Sequence, residues 1–184
     1  MRLAPAAWLA VATHIAAGLG SLILLRPGSP LEPDAAARGA YVATHLAAWR
    51  VGWALWIVAA LSFWQLLRAL APRAAPWVLA GLAFDVPSQL VLATPLPWTD
   101  LAYRGSGVVA NGLYTWALWL ALRDARMPRW LAIGGIGVVL LGVAVSAASI
   151  PSPGPVLFAA IGALTAAIIA WCAALGVRAS RASS

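Results

Sequence analysis

The sequence predicts an all-α protein, a polytopic membrane helix bundle of six transmembrane helices with both termini cytoplasmic. Three observations carry that prediction. Charge is scarce, apolar runs long enough to cross a bilayer recur along the chain, and arginine collects on alternate connections. Of 184 residues, 63% are hydrophobic and only 9% charged, with a mean hydropathy of +0.89, whereas a soluble domain carries about 25% charged residues. So few charges cannot cover a globular surface, and lipid is the solvent this composition requires. At roughly 20 residues per crossing, residues 1–184 have room for six spans and no separate soluble domain, and read as a single integral membrane domain.

The first span, about residues 6–25, holds His14 near its middle and the small residues Ala16, Ala17, Gly18 and Gly20, which permit close helix approach. It opens as a signal peptide would, but its apolar run is longer than a signal core, so it reads as a retained span. Pro27, Pro30 and Pro33 then block helix until Asp34, a good N-cap. The second span, 41–68, carries Arg50 inside the apolar run. The third, 75–93, contains Asp85, Ser88 and Gln89 on one face, with Pro87 expected to kink it. Trp98 and Tyr103 follow as expected interfacial anchors. The fourth span, 105–122, sets Asn111, Tyr114 and Thr115 along one side. The fifth and sixth, 130–150 and 155–177, carry no charge. Their small-residue pairs, Gly142 with Ser146 and Gly162 with Ala166, offer a face for an oligomer or a partner.

Arginine supplies all the basic residues and fixes the expected orientation. Arg2, Arg68, Arg73, Arg123, Arg126, Arg129, Arg178 and Arg181 fall on one side of a six-span chain, and only Arg26, Arg38 and Arg104 on the other. The positive-inside rule then places both termini in the cytoplasm. The net charge of +7 follows from topology. Nucleic acid is not an expected partner, because no polar face exists to carry a phosphate-binding stripe.

An arginine at the centre of a span costs about 2.5–3.5 kcal/mol on insertion scales, so Arg50 needs a partner. Counting 1.5 Å per residue, Arg50 lies about 13 Å below an outer boundary at Tyr41, and Asp85 about 15 Å below one at Thr94. Consecutive spans joined by short loops are neighbours, so Arg50 and Asp85 are expected to pair. Gln89, Asn111, Tyr114 and His14 fall at related depths. Together they form a polar cluster in the outer half, walled by Trp49, Trp53 and Trp56. Such a cluster either fixes helix register through a buried ion pair or lines a pocket for a small molecule.

Other chemistries find little support. His14 and His45 are the only histidines, and their depths differ by about 11 Å, too far for two ligands of one haem iron. Zinc would need a third ligand, and no HExxH spacing is present. Cys172 is the only cysteine, so no internal disulfide or CxxC site can form. Gly134-Gly135-Ile136-Gly137 lies inside a span, where a dinucleotide loop has no context. No cofactor or metal is expected.

Asp34-Ala35-Ala36-Ala37, Trp49-Arg50-Val51-Gly52, Leu66-Leu67-Arg68-Ala69 and Met127-Pro128-Arg129-Trp130-Leu131 resemble the pattern of a family of small bacterial multi-helix membrane proteins, labelled only as a domain of unknown function. The resemblance covers roughly residues 5–150. It implies a six-helix bundle with an arginine in its second span, and it implies no functional residue. Asp85-Val86-Pro87-Ser88-Gln89 lies outside that pattern.

The resulting expectation is a multi-pass protein of the bacterial cytoplasmic (inner) membrane whose outer-half pocket binds or passes a small solute or lipid-like ligand. Arg50 would hold an anionic group or compensate Asp85, and Gln89, Asn111 and Tyr114 would orient the ligand. Two alternatives stand beside it. One is a membrane-embedded enzyme with Asp85 as general acid or base on a hydrophobic substrate. The other is a non-catalytic subunit or scaffold.

Overall fold

In lipid a backbone has only itself to hydrogen-bond with, so apolar runs of this length fold as helices. The computed structural model describes residues 2–94, 99–151 and 154–182, and among these every regular element is helical. The expected anchor Trp98 lies outside the described residues. Helix α1 (Leu3–Gly20) continues through a wider, π-type turn at Ser21–Leu25 and a tight turn at Arg26–Gly28. The Pro-rich segment then leads to α2 (Ala35–Thr44), whose N-terminus is capped as its sequence requires: the Asp34 carboxylate accepts the Ala36 N–H at 2.8 Å.

Helix α3 (Leu46–Leu70) begins after a break at His45, where φ and ψ are −119° and 31°. The expected single helix over 41–68 is therefore two. Thr44 and His45 cause the break locally. Thr44 Oγ1 donates back to the Ala40 carbonyl and meets His45 Nδ1 at 2.8 Å, a side-chain arrangement that competes with continued helix. Helix α4 (Ala75–Leu92) continues through Pro87. Helix α5 (Thr99–Arg104), a π-type segment at Gly105–Ala110 and α6 (Asn111–Asp124) run head to tail, with helical dihedrals at both joints. Helices α7 (Arg129–Ala148) and α8 (Pro155–Arg181) complete the chain.

Five stretches among the described residues are long and apolar enough to cross a membrane: Leu3–Gly28, Leu46–Leu70, Pro72–Leu92, Arg129–Ala148 and Pro155–Arg181. The stretch expected as the fourth span is helical, but its π-type segment divides it into shorter pieces.

The helices close a ring. α1 packs on α3, α3 on α4, α4 on α6, α6 on α7, α7 on α8, and α8 returns to α1. Neighbours are antiparallel. Thr13 and Ser62 hydroxyls meet at 2.6 Å between α1 and α3, and Trp171 Nε1 donates to the Leu131 carbonyl at 3.0 Å between α8 and α7. Asn111 Nδ2 ties α6 to α7 through the Gly142 carbonyl and Ser146 Oγ.

Packing differs between the two ends of this ring. At the end that holds Leu3 and Arg181, Ala6, Ala7 and Ala10 of α1 let large side chains such as Leu66, Leu67 and Trp171 fill the centre. At the other end a smaller cluster around Leu25, Trp49, Trp53 and Leu92 lies to one side and leaves the centre open. The small-residue pair Gly142 and Ser146 is consumed inside the bundle, against Thr115 and Asn111 of α6. Gly162 and Ala166 remain exposed on α8. Of the two small-residue pairs, the one on α8 is therefore the pair left on the surface.

Candidate functional site

The open half of the ring encloses a cavity of about 540 Å3, within the range of about 300–1,000 Å3 typical of small-molecule pockets. Most of its wall is aliphatic or aromatic. Its floor is Phe63, Leu118 and Val138, and its mouth is bordered by Arg26, Ser29 and Leu31 from the segment after α1. Tyr103, the other expected anchor, lies in the cavity wall. Its ring meets Trp53 edge-on at 5.9 Å and Phe158 at 6.3 Å.

Polar groups converge on one side of this apolar space. Asp85 is buried on α4, and both of its carboxylate oxygens accept hydrogen bonds. Ser106 Oγ donates to Oδ1 at 2.6 Å, and the Tyr114 hydroxyl to Oδ2 at 2.9 Å. The Gln89 side chain, one turn further along α4, lies beside the Asp85 carboxylate. Glycine makes this meeting possible. Gly81 lets the Tyr114 ring lie against α4, and Gly105 lets the π-type segment approach Ser88. The Gly105-Ser106-Gly107 triplet is the piece the sequence reading missed. A serine between two glycines, beside a span with a buried carboxylate, was its only available signal. A π-type turn of this kind commonly marks a functional position in a helix.

Two buried polar atoms on the cavity wall have no partner among the described residues: the amide oxygen Oε1 of Gln89 and the indole nitrogen Nε1 of Trp53. The residues themselves are 5% and 9% exposed. The residues that carry this orphaned acceptor and this orphaned donor, each group costly to bury, both belong to the cavity wall.

The other expected site residues divide. His14 is in the wall, where its Nδ1–H donates to the Ala10 carbonyl at 2.8 Å and its ring meets Phe63 edge-on. Asn111 also lines the cavity, but its amide nitrogen is committed to α7. His45 is exposed beside the α2–α3 break, stacked on Tyr41 at 4.5 Å.

Arg50 does not join the site. It is exposed, it does not line the cavity, and the expected pairing with Asp85 is absent: neutral hydroxyls occupy both carboxylate oxygens. The break at His45 explains the error in depth. Arg50 lies four residues into α3, about 6 Å along it, not 13 Å. From there its long stem can carry the guanidinium to headgroup level. The stability losses of Arg50→Ala and Asp85→Ala should therefore add to within about 0.5 kcal/mol. A double-mutant cycle in detergent unfolding measures this, and a larger coupling would restore the pair.

A repeated tetrapeptide shows how position overrides sequence. Trp53-Ala54-Leu55-Trp56 lines the cavity through both tryptophans, whereas Trp116 and Trp119 of the matching Trp116-Ala117-Leu118-Trp119 are exposed.

Comparison with protein-family models, with curated proteins and with solved structures finds no match to this chain. The chemistry of the cavity is then the available guide to its use. It offers a deep apolar volume, one carboxylate held by neutral donors, and two unsatisfied polar atoms.

Proposed function

We propose that this protein is a six-span bundle of the bacterial cytoplasmic membrane, with both termini on the cytoplasmic side, whose outer-half cavity binds a small lipid-like molecule. In this reading the head-to-tail stretch Thr99–Asp124 is the fourth of the six crossings, needed to bring the chain back to the side where the arginine-rich segments collect. The cavity then opens toward the outer leaflet and is closed below.

The observation that carries the reading is the pair of unpartnered buried groups, Gln89 Oε1 and Trp53 Nε1, on residues that line a mostly apolar cavity of small-molecule size. The filled half beneath the floor favours holding a ligand over passing one. From Phe63 to Leu70 about 10 Å of α3 runs alongside packed side chains. Asp85, with both oxygens engaged, reads as the support that holds Tyr114 and Ser106 in place, not as a free acid or base.

Native mass spectrometry of the protein in a mild detergent, wild type beside Gln89→Leu, tests the proposal. A bound small mass is expected on the wild type and should be lost or sharply reduced in the variant. Bare wild-type protein, or adducts that the substitution does not change, would overturn the reading.

A further inference from the structure

The cavity wall is not equally buried all round. Among the described residues, its exposed members belong only to α1, to the segment just after it, and to α8. On α1 and its π-type continuation they are Ile15, Leu19 and Leu22, which are 44%, 52% and 65% exposed. On α8 they are Gly162 and Ala166. A side chain that both lines a cavity and faces outward marks where the cavity reaches the surface.

The geometry there is a cleft. The two helices touch where a Cβ at Gly18 would lie 3.7 Å from Thr165 Cγ2. One turn nearer the open end, a Cβ at Gly162 would meet nothing within 4 Å. The five residues along the cleft are all apolar. A route for a water-borne solute would require polar groups at its rim, because an apolar rim offers such a solute no replacement for its hydration. A molecule already dissolved in hydrocarbon needs none.

The polar end of that molecule is constrained by the two orphaned atoms. Gln89 Oε1 accepts only and needs a donor; Trp53 Nε1 donates only and needs an acceptor. A hydroxyl supplies both, while an ammonium has no acceptor to offer. An anion would find no cationic side chain in the cavity body, since Arg26 stands at the mouth and is exposed.

We infer that the cavity is filled sideways from the bilayer, through the cleft between α1 and α8, by a neutral apolar molecule with a hydroxyl head, such as a long-chain or isoprenoid alcohol. This rests on the reading of the cavity as a ligand site. The tail lies against the aliphatic wall, and the hydroxyl donates to Gln89 Oε1 and accepts from Trp53 Nε1.

The test uses the full chain in phosphatidylcholine vesicles with a long-chain alcohol bearing a diazirine on its tail. Brief irradiation is followed by peptide mapping, for the wild type, for Gly162→Trp, which fills the cleft, and for Gly137→Trp, which adds the same side chain at an open position on α7. Cavity peptides containing Trp53 and Phe158 should be labelled in the wild type and in Gly137→Trp, and unlabelled excess alcohol should compete. In Gly162→Trp their labelling should fall to the level of the lipid-facing background, while that background stays unchanged and reports a folded bundle. Equal cavity labelling in Gly162→Trp would overturn the lateral route and leave the ligand site standing. Stronger competition by a long-chain amine than by the alcohol would overturn the neutral head. An unlabelled wild-type cavity in a protein that still carries a bound mass by native mass spectrometry would overturn the ligand class. Absence of both labelling and bound mass would overturn the ligand site itself.

Discussion

Gly81→Leu is expected to lower stability by about 1–4 kcal/mol, although leucine favours helix over glycine by about 1 kcal/mol. A Cβ at this position would press on the Tyr114 ring, 2.7 Å from Cδ1, and would also lie 3.2 Å from the Ala110 carbonyl oxygen. The carbonyl belongs to a helix and cannot swing aside, so the ring must. Overpacking of this kind costs about 1–3 kcal/mol. Displacing the ring also breaks the bond to Asp85, worth up to about 1.7 kcal/mol between membrane helices. Equilibrium unfolding in mixed detergent micelles measures the sum. Gly112→Ala is the matched control, because its Cβ would meet only Ser146 Oγ at 3.8 Å and should be neutral or slightly stabilising. A Gly81→Leu protein as stable as the wild type would mean that α4 and α6 do not pack as described.

Removing Asp85 should have the second largest effect. Asp85→Leu leaves the Ser106 and Tyr114 hydroxyls without their acceptor. At about 0.6 kcal/mol for an average interhelical bond and about 1.7 for the strongest, loss of the network should cost about 2–3 kcal/mol. Asp85→Asn keeps an acceptor oxygen and should recover roughly half of that. Tyr114→Phe alone should cost about 1 kcal/mol, and Asp85→Leu with Tyr114→Phe should cost less than the two separately, since the hydroxyl no longer seeks a partner. The same unfolding titration reads all four. Additivity in that cycle would show that the 2.9 Å contact contributes nothing, and would return Asp85 to the list of groups free for chemistry.

The long apolar elements were legible because each is bounded by residues with plain physical meaning. Arg and Pro end the runs, so α4, α7 and α8 fall within a few residues of the expected limits. The α2–α3 break was not legible, since Thr44 and His45 act through local hydrogen bonds that leave no trace in apolar periodicity. That one break accounts for the failed Arg50 pairing, because depth was counted from the wrong end point. Within the site, Asp85, Gln89 and Tyr114 could be grouped by face and depth, and they do meet on the cavity wall. Ser106 could not be found that way. It reaches Asp85 from a π-type segment, whose altered spacing defeats any count based on a regular helix.

The contact between α1 and α8 is the one junction of the ring with no loop across it, and the two helices are separated by nearly the whole described chain. During synthesis at about 5–20 residues per second, α1 must wait on the order of ten seconds for α8 to emerge. The α1 residues that meet α8 include Gly18, beside Thr165, and Trp8, beside Gly176, and until then they lie against lipid. The chamber does not exist until that last partner arrives, so a truncated product could contain most of the wall residues and still enclose nothing.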